Sequence, residues 1–76
     1  MAPPIRFQVR ALPGMWFLRY PISVEAKDGT IGFVTDGKTW QTGAVFRDGR
    51  WCNMRGKPIE REITAWTVME ATDGQD

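Results

Sequence analysis

Three Asp-Gly pairs limit the folds open to this chain more than any other feature. They are Asp28-Gly29, Asp36-Gly37 and Asp48-Gly49, and each lies between short segments rich in strand-forming residues. Asp-Gly tolerates positive φ at both central positions of a type I′ turn, whose twist matches that of a β-hairpin. We therefore predict consecutive hairpins. Their strands are expected at about 22–26, 30–35, 39–46 and 50–54.

The segments outside these hairpins also favour strands. Residues 5–9 alternate apolar and polar side chains, which predicts a strand with one apolar and one cationic face. Gly32 and Gly43 fall inside predicted strands and are expected to mark bulges or sharp bends. Residues 59–69 allow a helix or a strand; their β-branched and aromatic residues, without an N-cap, favour the strand.

Together these patterns predict an all-β fold. We expect a small antiparallel meander of five to six strands, closed or nearly closed into a barrel of SH3-like size. Residues 1–70 would form this single domain, and 71–76 a flexible acidic tail. The expected core residues are Phe7, Val9, Ile22, Val24, Ile31, Phe33, Val45, Trp51 and Trp66.

The composition argues against an enzyme and against a bound metal or cofactor. The chain has no histidine and one cysteine, Cys52, so it offers neither a usual acid–base residue nor a tetrahedral zinc site. The Asp residues of the Asp-Gly pairs are explained by their turns. Cys52 is expected to be a buried structural thiol, although Arg50 leaves an activated thiolate as an alternative. We therefore predict a non-enzymatic protein without catalytic residues, metal or cofactor.

The single cysteine, the distribution of apolar residues and the chain length bear on the location and assembly of the protein. A lone cysteine suits a reducing compartment, and the sequence contains neither a signal peptide nor an apolar run long enough to span a membrane. The expectation is a cytoplasmic protein without a membrane partner. A chain of 76 residues has a thin core, so support from a homo-oligomer remains open.

The run from Met15 to Tyr20 is the first candidate binding surface. Its successive apolar residues cannot all point inward from one strand, so either both faces are covered or part of the run is exposed. Aromatic residues beside arginine are typical of protein interfaces. The predicted partner-binding residues are Trp16, Phe17, Arg19 and Tyr20.

The segment from 47 to 57 is the second candidate surface. It combines cations with an indole, which suits either an acidic protein patch or single-stranded nucleic acid, with the indole stacking on a base. Alternatively, the indole packs inward and the cations are solvated. The predicted residues are Arg47, Arg50, Trp51, Arg55 and Lys57.

Several short motifs resemble a family of small phage and prophage proteins of unknown function. The matching residues are Val9 with Leu12-Pro13, then Gly43, Gly49-Arg50-Trp51 and Ile63-Thr64-Ala65-Trp66. The resemblance implies a mobile-element origin and a compact β fold, and it supplies no activity and no catalytic residue.

The functional prediction is a small phage- or mobile-element-type binding protein. It would dock on a host or other partner protein and act as an inhibitor or adaptor. The alternative is binding of single-stranded nucleic acid by the basic and aromatic hairpin of a small barrel. A pocket for a small molecule in the mouth of the barrel is a third hypothesis.

Overall fold

The computed structural model describes residues 4–70, which form one antiparallel sheet of six strands. The strand order across the sheet is β1-β2-β6-β3-β4-β5, which confirms the all-β prediction. The sheet is open, because β1 and β5 form its edges without pairing to each other. The predicted acidic tail lies outside the described residues. The strands are β1 Ile5–Gln8, β2 Trp16–Pro21, β3 Ile31–Thr35, β4 Gln41–Arg47, β5 Arg50–Cys52 and β6 Ala65–Met69.

Two of the three Asp-Gly pairs lie in hairpins. Asp48 and Gly49 have φ values of 53° and 80°, so the β4–β5 connection is the predicted two-residue turn with both central residues at positive φ. The β3–β4 connection is a longer loop, in which the Asp36 carboxylate accepts hydrogen bonds from three backbone N–H groups. This loop does not require positive φ at Asp36.

The strand expected at 22–26, and with it the hairpin at Asp28-Gly29, is wrong. The N–H of Ile22 donates to the Thr64 carbonyl, and the N–H of Val24 turns back to the Pro21 carbonyl. The segment therefore leaves the sheet after β2 and lies across one face of it. Asp28-Gly29 does form a turn, since the Thr30 N–H donates to the Lys27 carbonyl, but this turn joins the segment to β3.

The last element is a strand, as favoured by its β-branched and aromatic residues, although it is shorter than expected. β6 covers Ala65–Met69 and is inserted between β2 and β3. Trp66 pairs with Tyr20 on one side and with Val34 on the other. This central position makes β6 the strand that joins the N-terminal β1–β2 hairpin to the β3–β4–β5 unit.

One face of the sheet, here called the covered face, carries the core. The connecting segments 22–30 and 53–64 supply Val24, Ala26, Ile59 and Ile63 to it. The indole N–H of Trp66 donates to the Val24 carbonyl at 2.8 Å, which ties the first segment to the sheet. Large aromatic rings supply most of the buried area in so small a core. The buried cluster is Ala26, Val34, Ala44, Phe46, Trp51 and Trp66.

Part of the predicted core is exposed. Ile31 and Phe33 are 66% and 45% exposed, because β3 directs Gly32 and Val34 to the covered face instead. A side chain at Gly32 would collide with the Thr67 carbonyl, so this close contact between β3 and β6 requires glycine. Val9 and Ile22 are also exposed, whereas Val45, Trp51 and Trp66 are buried as predicted.

Candidate functional site: an apolar groove on the open face

The second face of the sheet, here called the open face, is also apolar. Directly paired residues of antiparallel strands project to the same side, so the register assigns the members of this face. Phe7 pairs with Phe17, Phe17 with Met69, and Phe33 with Thr67. Met69 and Phe33 are largely exposed. Leu12 of the β1–β2 loop and the Met54 side chain approach this face, whereas segments 22–30 and 59–64 pack on the other face.

The open face contains a groove of about 320 Å³ that crosses the sheet from β1 to β4. Thr67 is buried and lies near the middle of the groove, while Leu12 reaches it from the β1–β2 loop. A volume of this size accepts one or two apolar side chains of a partner or a small ligand. The residues that line it are Phe7, Val9, Leu12, Phe17, Arg19, Phe33, Gln41 and Thr67.

Aromatic contacts fix the β1 side of the groove. The rings of Phe7 and Phe17 stack with their centroids 5.8 Å apart, and the Arg19 guanidinium lies 5.6 Å from the Phe7 ring centroid. Both contacts stabilise an edge strand of only four residues. Arg19 thereby places one positive charge at the groove while its side chain stays exposed.

Arg6 holds β1 from the covered face. Its guanidinium lies 3.8 Å from the Trp16 ring centroid, and its Nε donates to both Glu70 carboxylate oxygens at 3.1 and 3.0 Å. This cluster links β1, β2 and the residue that follows β6. The ion pair is half-exposed and contributes at most about 1 kcal/mol, so its main effect is to orient the edge strand.

The structure divides the first predicted binding surface between the two faces. Phe17 and Arg19 line the groove of the open face. Trp16 lies on the covered face under Arg6, and Tyr20 stacks on Trp66 with ring centroids 4.3 Å apart. The run cannot form one surface, because consecutive residues of β2 alternate between faces. Trp16 and Tyr20 therefore belong to the packing, and only Phe17 and Arg19 belong to the groove.

The indole of the second predicted surface, that of Trp51, is buried. Trp51 is 5% exposed and packs between Phe46 and Trp66, with ring centroids 5.2 and 5.6 Å away. In this packing the Trp51 ring is not exposed for stacking on a base, which agrees with the alternative in which the indole packs inward. Cys52, the next residue of β5, is also buried.

The cations of the second surface are exposed. Arg47 and Arg50 are directly opposite each other across the β4–β5 hairpin, and Arg55 and Lys57 lie in the following turn. Within residues 4–70 no carboxylate forms an ion pair with any of them. Like charges placed opposite each other destabilise a hairpin. This end of the sheet therefore presents a positive patch of four exposed cations without ion pairs, next to the Asp28 and Asp48 side chains and separate from the groove.

Six groove residues were absent from the predicted binding surfaces. Phe7, Val9 and Phe33 were expected in the core, and Leu12, Gln41 and Thr67 had no assigned role. A signal was present for the first three, because residues 5–9 and β3 each place apolar residues where a second buried face would be needed. Within residues 4–70 the connecting segments pack mainly on the covered face, so the apolar residues of the other face stay partly exposed.

No group of three or more potential metal ligands occurs within residues 4–70, and no helix there could span a membrane. Hydrogen bonds from the Lys38 N–H, and from Thr39 and Trp40, hold the pKa of the Asp36 carboxyl well below its usual range. These bonds all fix the β3–β4 loop, which gives Asp36 a structural role.

Comparison with known proteins adds no assignment, since no family model, curated protein or solved structure matches the chain.

Proposed function

We propose that this protein is a non-enzymatic binding protein that docks on a partner protein through the groove of the open face. Steric blocking of that partner or bridging to another protein, as inhibitor or adaptor, would follow from such docking. The phage-like origin implied by the sequence motifs belongs to the same proposal and makes a host protein the natural partner.

The observation that carries the proposal is the exposure of Phe33 in a groove that is mostly apolar and also contains Arg19, Gln41 and Thr67. The Phe33 side chain is 45% exposed although it lies on a central strand. Monomeric proteins rarely expose contiguous apolar patches larger than a few hundred Å², and such patches often mark binding sites. The aromatic and arginine side chains at this groove match the composition of interface cores.

Affinity capture from a bacterial lysate, with and without nuclease, tests the proposal when three forms of the protein are compared. The wild-type protein and Ile22→Thr should recover the same partner at equal yield, while Phe33→Thr should lose at least nine-tenths of it. Ile22 is a matched control, because it is 44% exposed and lies outside the groove. Threonine retains strand propensity at position 33, and unchanged unfolding midpoints would show that both variants fold.

Two results would contradict docking through the groove. Equal recovery by Phe33→Thr and wild type would place the partner elsewhere on the surface. Recovery that depends on nucleic acid, and is therefore lost on nuclease treatment, would favour the alternative function. That alternative is the binding of single-stranded nucleic acid by the positive patch around Arg47 and Arg50. It predicts that the affinity for nucleic acid falls steeply as the salt concentration rises.

A further inference from the structure

We propose that the free edge of β1 pairs with an extended, acidic segment of the partner protein, whose apolar side chains enter the groove. This inference rests on the proposed function and specifies how the partner binds. Addition of a strand to a sheet edge is a common mode of peptide recognition, in which main-chain hydrogen bonds supply affinity and alternate side chains supply specificity.

The first support is that β1 is an uncovered edge. β1 pairs with β2 alone, so its other side has no partner within residues 4–70. The opposite edge of the sheet is covered by its own chain. The Ile59 N–H donates to the Trp51 carbonyl at 3.0 Å, and Cys52 forms a bridge with Pro58. A strand can therefore be added at β1 without displacing any described segment.

The hydrogen-bond pattern identifies the free backbone groups. The Glu70 N–H donates to the Trp16 carbonyl at 2.8 Å, so the backbone of Trp16 faces β6 and turns away from β1. Gln8, which pairs with Trp16, is then in a non-hydrogen-bonded pair, and its N–H and C=O point out of the sheet. The same holds two residues earlier at Arg6. The free edge presents two donors and two acceptors.

The edge and the groove are continuous. Ile5 and Phe7 alternate with Arg6 and Gln8, so they project to the open face, and Phe7 also lines the groove. An added strand would continue this alternation and place every second side chain on the open face. Apolar side chains at those positions would cover Ile5, which is largely exposed, and extend into the groove.

Charge identifies the segment that fits. None of the residues lining the groove is acidic, and Arg19 lines both the groove and a neighbouring depression that includes Lys38. Arg10 lies between two groove residues in the chain, and no ion pair involves Arg10 or Arg19 within residues 4–70. A second copy of this chain would offer no acidic residue from its β1 strand or its groove to these cations. A segment of another protein that alternates apolar with Asp or Glu residues is complementary.

Selection from a displayed library of random ten-residue peptides tests the inference. The enriched peptides should alternate apolar and acidic residues. The affinity of a selected peptide should fall at least tenfold for Gln8→Pro, which removes an edge N–H, and stay within twofold for Gln8→Ala, which keeps it. Proline is tolerated where an edge N–H faces solvent, and equal unfolding midpoints would confirm folding. N-methylation of the peptide, one bond at a time, should weaken binding only at alternate positions, where the N–H faces β1. This second measurement leaves the protein unchanged.

The outcomes separate this inference from the proposed function. A peptide that is lost by Phe33→Thr but retained by Gln8→Pro, with no periodicity on N-methylation, overturns strand addition and leaves docking in the groove intact. A peptide insensitive to Phe33→Thr overturns the groove itself. Failure to enrich alternating acidic peptides overturns the inference. So does a dimer in sedimentation that is lost by Gln8→Pro, because a second copy would then occupy the edge.

Discussion

At the scale of single residues, the faces of the sheet are decided by close contacts as much as by hydrophobicity. Ile31 and Phe33 are larger than their neighbours and were expected inside, yet Gly32 and Val34 face the core. The close approach of Thr67 to Gly32 sets this orientation, since no other residue type fits there. Alternation in the sequence identifies a strand, but it does not say which of two apolar faces is covered.

Gly32→Ala should therefore destabilise the protein by about 2–3 kcal/mol or more, because the added methyl group would meet the Thr67 backbone, which cannot move independently of the β3–β6 ladder. Gly43→Ala is the matched control in the next strand. Its added carbon would lie 3.9 Å from Met54 Cγ, an ordinary contact, so its stability should change by less than about 0.5 kcal/mol. Chemical denaturation of both variants measures the difference. Equal effects would contradict the close contact at Gly32.

At the scale of elements, the sequence was most informative where a turn depends on local chemistry. Asp48-Gly49 could be predicted as a two-residue hairpin, because its conformation is set by those two residues. Asp28-Gly29 has the same dipeptide, but the residues before it cover the core through bonds to Thr64 and Trp66. Such long-range contacts are not encoded in a local pattern. Neither the absence of a strand at 22–26 nor the insertion of β6 between β2 and β3 could therefore be predicted from the sequence.

The β3–β4 loop makes a prediction about pH. The folded pKa of Asp36 is lowered by the Lys38 N–H and its neighbours, so the folded chain binds fewer protons than the unfolded chain in acid. The resulting stability is fully present above the unfolded pKa of about 3.9 and is lost as pH falls below it toward the lower folded pKa. Denaturation of wild type and Asp36→Asn between pH 7 and pH 2 should show the two free energies of unfolding converging in acid. Parallel curves would contradict the role of the Asp36 carboxylate.

At the scale of the whole molecule, the connecting segments within residues 4–70 pack mainly on one face of the six-stranded sheet. The covered face takes the tryptophans expected in the core, Trp51 and Trp66. The open face keeps apolar residues that the sequence also marked as buried, including Phe7 and Phe33. The fold class and part of the core could thus be predicted. The groove could not, because its residues come from a loop and from five strands, whose order in the sheet depends on the position of β6.

Site-specific photo-cross-linking tests docking through the open face most directly. A benzoylphenylalanine at position 33 keeps an aromatic ring in the groove, and the same residue at position 22 reports on an equally exposed site outside it. In a bacterial lysate we expect irradiation to give a discrete protein adduct from position 33 and none from position 22. Adducts of equal yield from both positions, or none from position 33, would contradict the assignment of the open face as the binding surface.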